Sequence, residues 1–479
     1  MKLLKKIAIM AAAVVLAMGL AVPAFADDGG TEAAHSITIN NPNPGHTYEA
    51  YQIFTGDLHN GKLSNIKWGA NVSEAGQQAL GSADAKAASL TDGEAFSREI
   101  APYLTGDPVV SNGQVDGKYV LNLPEAGYYL VKDKDGSLTT PGTAYTEYIV
   151  RVAGQIEVNA KSSAPQVTKK TKDSFDSEGF ETRWQDSGDY DIGDTVPFKL
   201  EANLAENVAD FATYTIVFHD TLSKGLEFKE IVSVTVNGEA VAAGYNEPET
   251  AVGENGETLL TITFPDMKRW GSPKEVVVEY TATLTQDAVI GEAGNPNTVY
   301  LEYSNNPYGA GTGTTLPDKV IIFTYQLEIS KVDGDSKPLP GAGFTLYKIG
   351  PSGAETKVGD EIKGEELTTF IWRGLDDGNY KLVETTTPSG YNTIAPITFA
   401  IHAEHDLESA DPKLTNLHTS NSFVADRAAG TLKGDIVNQA GAVLPSTGGT
   451  GTTFLYVIGA ALILGAGIAL VVRKRARDN

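Results

Sequence analysis

The sequence contains no cysteine and only seven histidines among its 479 residues. The lack of cysteine excludes disulfide bonds, thiol nucleophiles and cysteine-ligated metal sites, so some other device must stabilise the chain if it folds outside the cell. With few histidines and no recognisable nucleophile or metal-ligand motif, the sequence gives little support to an enzyme and indicates no cofactor. Metal binding stays an open question at this stage.

Basic residues are also scarce relative to acidic ones. The chain has 37 Lys and Arg residues against 61 Asp and Glu residues, which gives a formal net charge of -24. A surface this acidic argues against nucleic acids and anionic membranes as partners, because both are polyanions. The charge balance suits a well-solvated protein surface.

Long apolar runs occur only at the two ends of the chain. Near the N-terminus, a lysine-rich start precedes an apolar stretch over 7–20 and the small-x-small sequence Ala24-Phe25-Ala26. This order predicts a secretory signal peptide over 1–26. We therefore expect the protein to be exported.

The C-terminal apolar run, 454–472, lies between a short motif and a basic cluster at 473–477. The run is just long enough to cross a bilayer as a helix, and the basic cluster suits a cytoplasmic end. The motif before it is Leu444-Pro445-Ser446-Thr447-Gly448. It resembles the LPxTG cell-wall sorting signal of Gram-positive surface proteins. The resemblance implies that a sortase cysteine attacks the Thr447–Gly448 bond and that an amine later captures the acyl product.

The rest of the chain favours β-structure. Alternating apolar runs are bounded by Gly, Asn, Asp and Pro, for example over 214–218, 259–264, 276–284 and 380–384. Short strands at this spacing predict β-sandwiches with Greek-key connections. The segments 73–89 and 92–104 favour helices, so we expect the first domain to carry some helical insertion in a β framework.

Two linkers divide the exported part of the chain. Ser162-Ser163-Ala164-Pro165 separates an N-terminal domain from a middle domain, and a Gly- and Thr-rich stretch over 309–317 separates the middle domain from a C-terminal one. We therefore predict three sandwich-like domains in series, followed by the sorting signal. Their bounds are 27–161, 165–318, 319–441 and 442–479.

Three polar residues of the C-terminal domain fall where strand alternation predicts apolar ones. Lys331, Glu384 and Asn438 each share a strand face with the apolar residue two positions before them. Burial lowers the pKa of a lysine and raises that of a glutamic acid, which leaves a neutral amine and a protonated acid. The amine can then attack the amide carbon of Asn438 and release ammonia, and the product is an isopeptide bond.

The segment 380–391 supports this chemistry. It reads YKLVETTTPSGY and matches the pattern Tyr-x-Leu-x-Glu-x-x-x-Pro-x-Gly-Tyr at every defined position. This pattern resembles the E-box of collagen-adhesin B-type domains, the Ig-like β-sandwiches of Gram-positive surface proteins. The resemblance implies that Lys331 is the nucleophile, Asn438 the electrophile and Glu384 the catalytic acid. The alternative is a solvent-exposed Lys331 on an edge strand that merely pairs with Glu384.

The middle domain repeats the pattern less clearly. Alternation places Lys169, Asp220 and Asn305 on core faces, with Lys170 and Asn306 as neighbours that could take the same roles. Residues 219–226 resemble the Asp-x-Leu-x-x-Gly-Leu element of A-type domains in the same superfamily, which implies that Asp220 is the acid. We therefore predict a Lys169–Asn305 bond. The N-terminal domain lacks a comparable acid in its 124–130 segment, and no bond is predicted there.

Sortase chemistry needs an amine, and Lys161 is the candidate on a neighbouring subunit. In backbone pilins, such a lysine closes a motif like Val-Tyr-Pro-Lys at the end of the first domain. Here Asn159 and Ala160 replace the Tyr and Pro, whereas the lysine and its position at the junction are retained. The order of parts resembles the major shaft subunit of a sortase-assembled pilus over nearly the whole chain.

That resemblance implies a cell-wall-anchored surface polymer in which Thr447 of one subunit is joined to Lys161 of the next. The expected partners are pilus-class and housekeeping sortases, identical subunits, peptidoglycan, minor pilins and host surface ligands. The alternative is a monomeric wall-anchored adhesin that binds a host or matrix ligand. Such an adhesin shares the sorting signal and the sandwich domains but does not need Lys161.

Overall fold

The computed structural model describes residues 35–60, 62–160, 164–421, 423–441, 455–464 and 466. β-Strands dominate these residues, because β-branched and aromatic side chains alternate with polar ones along most of the chain. The prediction of a mainly β fold is confirmed. The predicted signal peptide, Lys161 and the Leu444–Gly448 motif lie outside the described residues.

The described chain divides into two compact units. The first comprises 35–42, 47–132 and 147–160, and the second comprises 43–46, 133–146 and the residues from 164 onwards. The predicted division of the exported chain into three domains stays a prediction.

The first unit contains two small sheets with strand orders β5-β1-β8 and β3-β2-β6-β7, and β4 pairs with β2. Apolar residues of both sheets, such as Ile37 and Tyr129, are buried. The strands are β1 (His35–Asn40), β2 (Tyr48–His59), β3 (Lys62–Trp68), β4 (Val109–Val110), β5 (Lys118–Leu123), β6 (Gly127–Asp133), β7 (Glu147–Val152) and β8 (Gln155–Asn159).

The predicted helical insertion lies in this unit. It consists of α1 (Glu74–Leu80), α2 (Ala83–Ser89) and α3 (Gly93–Ile100), followed by a 3-10 turn over Ala101–Tyr103. Asp92 caps α3 by accepting hydrogen bonds from the first backbone N–H groups, which would otherwise be unsatisfied. The helix buries Phe96, whose ring stacks on Phe54 of β2 at a centroid distance of 5.7 Å.

The larger unit begins with a sandwich of two sheets, ordered β16-β15-β19-β13-β9 and β12-β22-β20-β14-β18-β17, with β21 on β20. Their inner faces share one apolar core. The strands are β9 (Gln166–Thr171), β10 (Ser174–Phe175), β11 (Phe180–Glu181), β12 (Ser187–Asp189), β13 (Thr195–Asn203), β14 (Ile216–Leu222), β15 (Leu226–Val236), β16 (Glu239–Ala240), β17 (Glu249–Val252), β18 (Thr258–Phe264), β19 (Glu275–Leu284), β20 (Asn295–Ser304), β21 (Thr312–Thr314) and β22 (Asp318–Phe323). β10 and β11 form a separate hairpin, and 3-10 turns occur over Val208–Asp210 and Met267–Trp270.

A second sandwich of the same unit has the sheet orders β26-β23-β31-β30 and β25-β24-β27-β28-β29. Its strands are β23 (Tyr325–Asp333), β24 (Gly343–Ile349), β25 (Glu355–Lys363), β26 (Thr369–Leu375), β27 (Gly378–Thr386), β28 (Ile397–His405), β29 (Leu414–Thr419), β30 (Val424–Asp426) and β31 (Thr431–Asn438). Residues 319–323, predicted to open the C-terminal domain, instead extend the middle sandwich, because β22 pairs antiparallel with β20. Val320 and Ile322 pack in the core of the middle sandwich, whereas Ile321 and Phe323 pack in the core of the C-terminal one, so β22 is common to both.

The predicted transmembrane segment 454–472 is described only in part. Residues 455–464 and 466 are helical. Within the residues the structure describes, no helix has both the length and the apolar character needed to cross a membrane.

Candidate isopeptide sites

Lys331 lies on β23, which runs between β26 and β31 in the centre of its sheet. β23 and β31 pair in parallel, with Lys331 opposite Ile436 and Asp333 opposite Asn438. The Lys331 side chain is fully buried, and its Nζ donates to the backbone oxygens of Val332 and Ile436, both at 3.0 Å. The alternative of a solvent-exposed lysine on an edge strand is therefore wrong.

Glu384 reaches the same place from β27 of the facing sheet. Its Oε1 accepts a hydrogen bond from Asn438 Nδ2 at 2.8 Å, and its Oε2 accepts one from the backbone N–H of Ile394 at 3.0 Å. The E-box residues explain this position. Tyr380, Leu382 and Glu384 lie on the same face of β27, and all three are buried. Gly390 turns the chain at a φ of 86°, a left-handed conformation that favours glycine.

The structure thus brings the three predicted residues of the C-terminal sandwich into one buried cluster. Burial lowers the pKa of Lys331, and the charges of Glu384 and Asp333 partly oppose that change. The Oδ1 atom of Asn438 is buried without a hydrogen-bond partner among the described residues. An unsatisfied buried acceptor of this kind costs roughly 1–3 kcal/mol, which marks the amide as a strained point of the fold.

A second buried lysine, Lys169 on β9, lies in the middle sandwich. Its Nζ contacts both carboxylate oxygens of Asp220 at 2.7 and 2.6 Å and donates to the Tyr280 hydroxyl at 3.0 Å. Burial lowers the pKa of Lys169 to about 8, although the charge and hydrogen bond of Asp220 act in the opposite direction. The neighbouring Lys170 faces away from this cluster and pairs with Asp186.

Asn305 does not lie in this cluster, so its predicted pairing with Lys169 needs correction. On β20, the residue directly opposite Asp220 is Val299. Asn305 is six positions further along, which corresponds to about 20 Å at the rise of a β-strand. Its Oδ1 accepts a hydrogen bond from the backbone N–H of Tyr145 at 3.1 Å. Asn306, the alternative, bonds locally to the backbone N–H of Tyr308.

The asparagine that the structure places beside Lys169 and Asp220 is Asn297, at the other end of β20. Asn297 is fully buried, and its Nδ2 donates to the Tyr280 hydroxyl at 2.7 Å. Its Oδ1 has no hydrogen-bond partner in the part of the chain that the structure describes, as is true of Asn438. Each of the two clusters therefore contains a lysine, a carboxyl group and an amide whose oxygen has no partner among the described residues.

Tyr280 connects the members of the middle cluster and was not expected from the sequence. Its hydroxyl donates to Asp220 Oδ2 at 2.6 Å while it accepts from Lys169 and Asn297. Burial and the charge of Asp220 raise its pKa well above the usual range, so the phenol keeps its proton. The alternation of β19 places Tyr280 on the core face, and this was the available signal. Asn297 is an even number of positions from Asn305, so strand alternation places both asparagines on the core face. This was the signal that could have indicated Asn297.

Comparison with protein families gives three matches along the chain. Residues 192–307 match the Gram-positive pilin backbone subunit 2, Cna-B-like domain. Residues 325–413 match the SpaA prealbumin-like fold domain, and residues 436–479 match the LPXTG cell wall anchor motif. The first match lies within the middle sandwich and begins after Lys169, and the second covers β23 to β28 of the C-terminal sandwich and includes Lys331.

Two relatives match the chain over about two thirds of its length. The trypsin-resistant surface T6 protein of Streptococcus pyogenes is 26% identical over 67% of this chain and 71% of its own length. The fimbrial subunit type 2 of Actinomyces naeslundii is 26% identical over 62% of this chain and 60% of its own length.

Two solved structures share the fold. The T6 backbone pilin of Streptococcus pyogenes superposes with a TM-score of 0.57 at 20% identity, covering 85% of this chain and 98% of that one. The major pilin SpaD of Corynebacterium diphtheriae gives a TM-score of 0.51 at 16% identity, with 86% and 99% covered.

The anchor motif and the Cna-B-like and prealbumin-like domains define a class, the wall-anchored surface proteins of Gram-positive bacteria. Within that class, the domain matches and the fimbrial relatives support a backbone pilin of a cell-wall-anchored surface pilus.

Proposed function

We propose that the chain is the shaft subunit of a covalent pilus, in which a sortase joins Thr447 of one subunit to Lys161 of the next. Thr447 lies inside the matched LPXTG anchor region. Lys161 follows the last strand of the first unit, which ends at Asn159, and precedes β9, which begins at Gln166. In the sequence it thus belongs to a connecting segment, and such segments usually run over the protein surface. A pilus-class sortase would form the polymer, and a housekeeping sortase would attach it to peptidoglycan.

Cell-wall extracts boiled in SDS test the polymer. The unmutated protein should give a ladder of high-mass species, because covalent links between subunits resist denaturation. Lys161→Ala should abolish the ladder, whereas Lys337→Ala, at a lysine whose side chain is 72% exposed, should leave it unchanged. A single band from the unmutated protein would support the alternative, a monomeric adhesin. A ladder that survives Lys161→Ala would assign the link to another lysine.

The proposal that the shaft is stiffened from within rests on one observation, the two buried clusters of lysine, acid and amide. We infer that Lys331 bonds to Asn438 with Glu384 as the acid, and that Lys169 bonds to Asn297 with Asp220 as the acid. The ion pair of Lys169 and Asp220 needs only one proton transfer, over 2.6 Å, to become a neutral amine and a carboxylic acid.

The reaction then proceeds by attack of the lysine Nζ on Cγ of the asparagine. The acid donates its proton to the amide oxygen as the tetrahedral intermediate forms. One proton of the amine passes to the departing NH₂ group, which leaves as ammonia, and the other stays on the nitrogen of the new amide. The oxygen returns its proton to the carboxylate as the carbonyl group forms again. The carboxyl group is regenerated, but the lysine and asparagine side chains are consumed. Each site therefore reacts only once, within its own chain. At Asn438, a rotation of the amide by half a turn brings Oδ1 to a protonated Glu384, because Nδ2 and Oδ1 exchange places.

Intact mass of the full chain, expressed without a sortase and purified in detergent, tests both bonds. Relative to the calculated mass, we expect a loss of about 34 Da, since each condensation releases one ammonia of about 17 Da. Asn297→Ala and Asn438→Ala should each retain only one of the two losses. Asn305→Ala is the matched control and should retain both. Two losses in Asn297→Ala together with one in Asn305→Ala would restore the pairing predicted from the sequence.

A further inference from the structure

Five titratable side chains meet where the two sandwiches of the larger unit contact each other. They come from the middle sandwich and from a turn and a strand end of the C-terminal one, and we call them the acid–imidazole cluster: Asp173, Asp189, Asp376, Asp377 and His405. Ligand atoms of Asp173, Asp189 and His405 lie within 4.8 Å of one another, as do those of Asp189, Asp376 and Asp377. Asp189 belongs to both groups and is therefore the centre of the cluster.

Three of the four carboxylate oxygens of Asp189 and Asp173 have no hydrogen-bond partner among the described residues, although they are buried. Asp189 is 1% exposed, and neither of its oxygens has a hydrogen bond of normal geometry within the described ranges. Asp173 is equally buried; its Oδ1 accepts from two backbone N–H groups, but its Oδ2 has no hydrogen-bond partner there either. Burial raises the pKa of Asp189, whereas the hydroxyl of Tyr325 beside it lowers that pKa, but the two groups form no hydrogen bond of normal geometry. Burying unpaired carboxylates is expensive, so something must compensate their charge.

His405 is oriented toward these oxygens by its other ring nitrogen. The Ser187 hydroxyl lies 2.7 Å from His405 Nδ1 and 2.5 Å from the backbone oxygen of Asp406. The hydroxyl has one hydrogen, and the carbonyl can only accept it, so Nδ1–H must donate to Ser187 Oγ. His405 Nε2 then faces Asp173 Oδ2 at 3.4 Å and Asp189 Oδ1 at 4.0 Å. A hydrogen bond that fixes the tautomer in this way is typical of a metal-binding histidine.

The nearest lysine does not neutralise the cluster. Lys348 contacts Asp376 Oδ2 at 3.2 Å, but it lies closer to Asp191 and Asp176, at 2.6 and 2.7 Å. One ammonium group is thus shared by three carboxylates, of which only Asp376 belongs to the cluster. Asp173, Asp189 and Asp377 have no lysine partner within the described ranges, and a protonated His405 would offset only one of their three charges.

We propose that the acid–imidazole cluster is a binding site for one divalent metal ion, ligated by Asp173, Asp189 and His405, with Asp376 or Asp377 completing the shell. Carboxylate oxygens with a single imidazole form a mixed oxygen and nitrogen ligand set, for which Mn²⁺ is well suited, whereas Ca²⁺ prefers oxygen alone and Zn²⁺ prefers fewer ligands. Since the ligands come from both sandwiches, the ion would fasten one to the other.

Metal titration of the full chain in detergent tests this site. After treatment with a chelator and dialysis, MnCl₂ should bind with one equivalent per chain by calorimetry and should raise the thermal unfolding midpoint, because the ion binds only the folded state. Asp189→Asn should abolish binding. Ser187→Ala, which removes the partner of His405 Nδ1, should weaken Mn²⁺ binding by on the order of 10- to 100-fold.

Asp176→Asn is the matched control, since Asp176 contacts Lys348 and is not part of the cluster. It should bind Mn²⁺ as the unmutated chain does. If Asp189→Asn does not unfold cooperatively, His405→Gln takes its place, because His405 is the one nitrogen ligand of the proposed site. The proposal is overturned if none of MnCl₂, CaCl₂ and ZnCl₂ binds, or if the substituted clusters bind Mn²⁺ with undiminished affinity. Protons shared among the carboxylates would then be the compensating charge.

Discussion

The two buried lysines are held in chemically different ways. Lys331 donates to two backbone carbonyl groups, and a neutral amine has two hydrogens, so its lone pair is left free of these contacts. Lys169 is instead paired with Asp220 and lies 5.2 Å from the ring centroids of Phe198 and Tyr280, which favour its charged form. We therefore expect Lys169 to be the amine whose reaction depends more strongly on a shared proton.

The pH dependence of bond formation at Lys169 follows from that shared proton. The reactive pair, amine and carboxylic acid, holds one proton, as the ion pair does, so its population does not change with pH while the pair keeps that proton. Above the Lys169 pKa of about 8 the proton is lost. The catalytic acid is then missing, and the rate should fall about tenfold per pH unit.

This rate can be measured as ammonia loss during refolding of unreacted Asn438→Ala chain from denaturant, with samples quenched and weighed by mass spectrometry. Asn438→Ala leaves only the middle bond to form, so the mass change reports on Lys169 alone. A rate that stays constant or rises above pH 8 would mean that the neutral amine reacts without a protonated acid.

For the strands, the sequence predicts which face of a strand is buried better than it predicts which residue along that face meets a given partner. Period-two alternation correctly predicts that Lys169 and Asp220 lie in the core. Alternation and the E-box pattern together predict the same for Glu384, which is also buried. Alternation cannot distinguish Asn297 from Asn305, because both have the same parity on one strand. Only the register of β14 and β20 does so, since it makes Asn297 the diagonal neighbour of Asp220.

Residues 319–323 and the acid–imidazole cluster show the same limit. A strand that pairs with the preceding sandwich has the same local pattern as one that opens the next, and the pairing depends on partners more than 20 residues away in sequence. The cluster brings together residues from β12, β28 and two connecting segments. No local pattern relates these positions, so the sequence carried no signal for them.

For the molecule as a whole, the two proposed cross-links would take the place of the disulfides that a chain without cysteine cannot form. Both proposed bonds connect an early strand of a sandwich with a late one. By analogy with disulfides, closing loops of ~100 residues stabilises the fold by roughly 4–5 kcal/mol through the unfolded state. A pull on the two ends of such a sandwich meets a covalent bond before it can separate the strands.

Thermal unfolding of the unpolymerised chain tests this contribution. Asn297→Ala and Asn438→Ala should each lower the unfolding midpoint by about 10 °C or more, because a loss of several kcal/mol moves it by roughly 2–4 °C per kcal/mol in a domain of this size. Asn305→Ala removes only the hydrogen bond to the Tyr145 N–H, worth about 1 kcal/mol, and should lower the midpoint by a few degrees. Scanning calorimetry of the three variants separates the two effects. Equal decreases in Asn297→Ala and Asn305→Ala would show that Asn297 contributes no more than a buried hydrogen bond, and that the middle sandwich is stable without a covalent link.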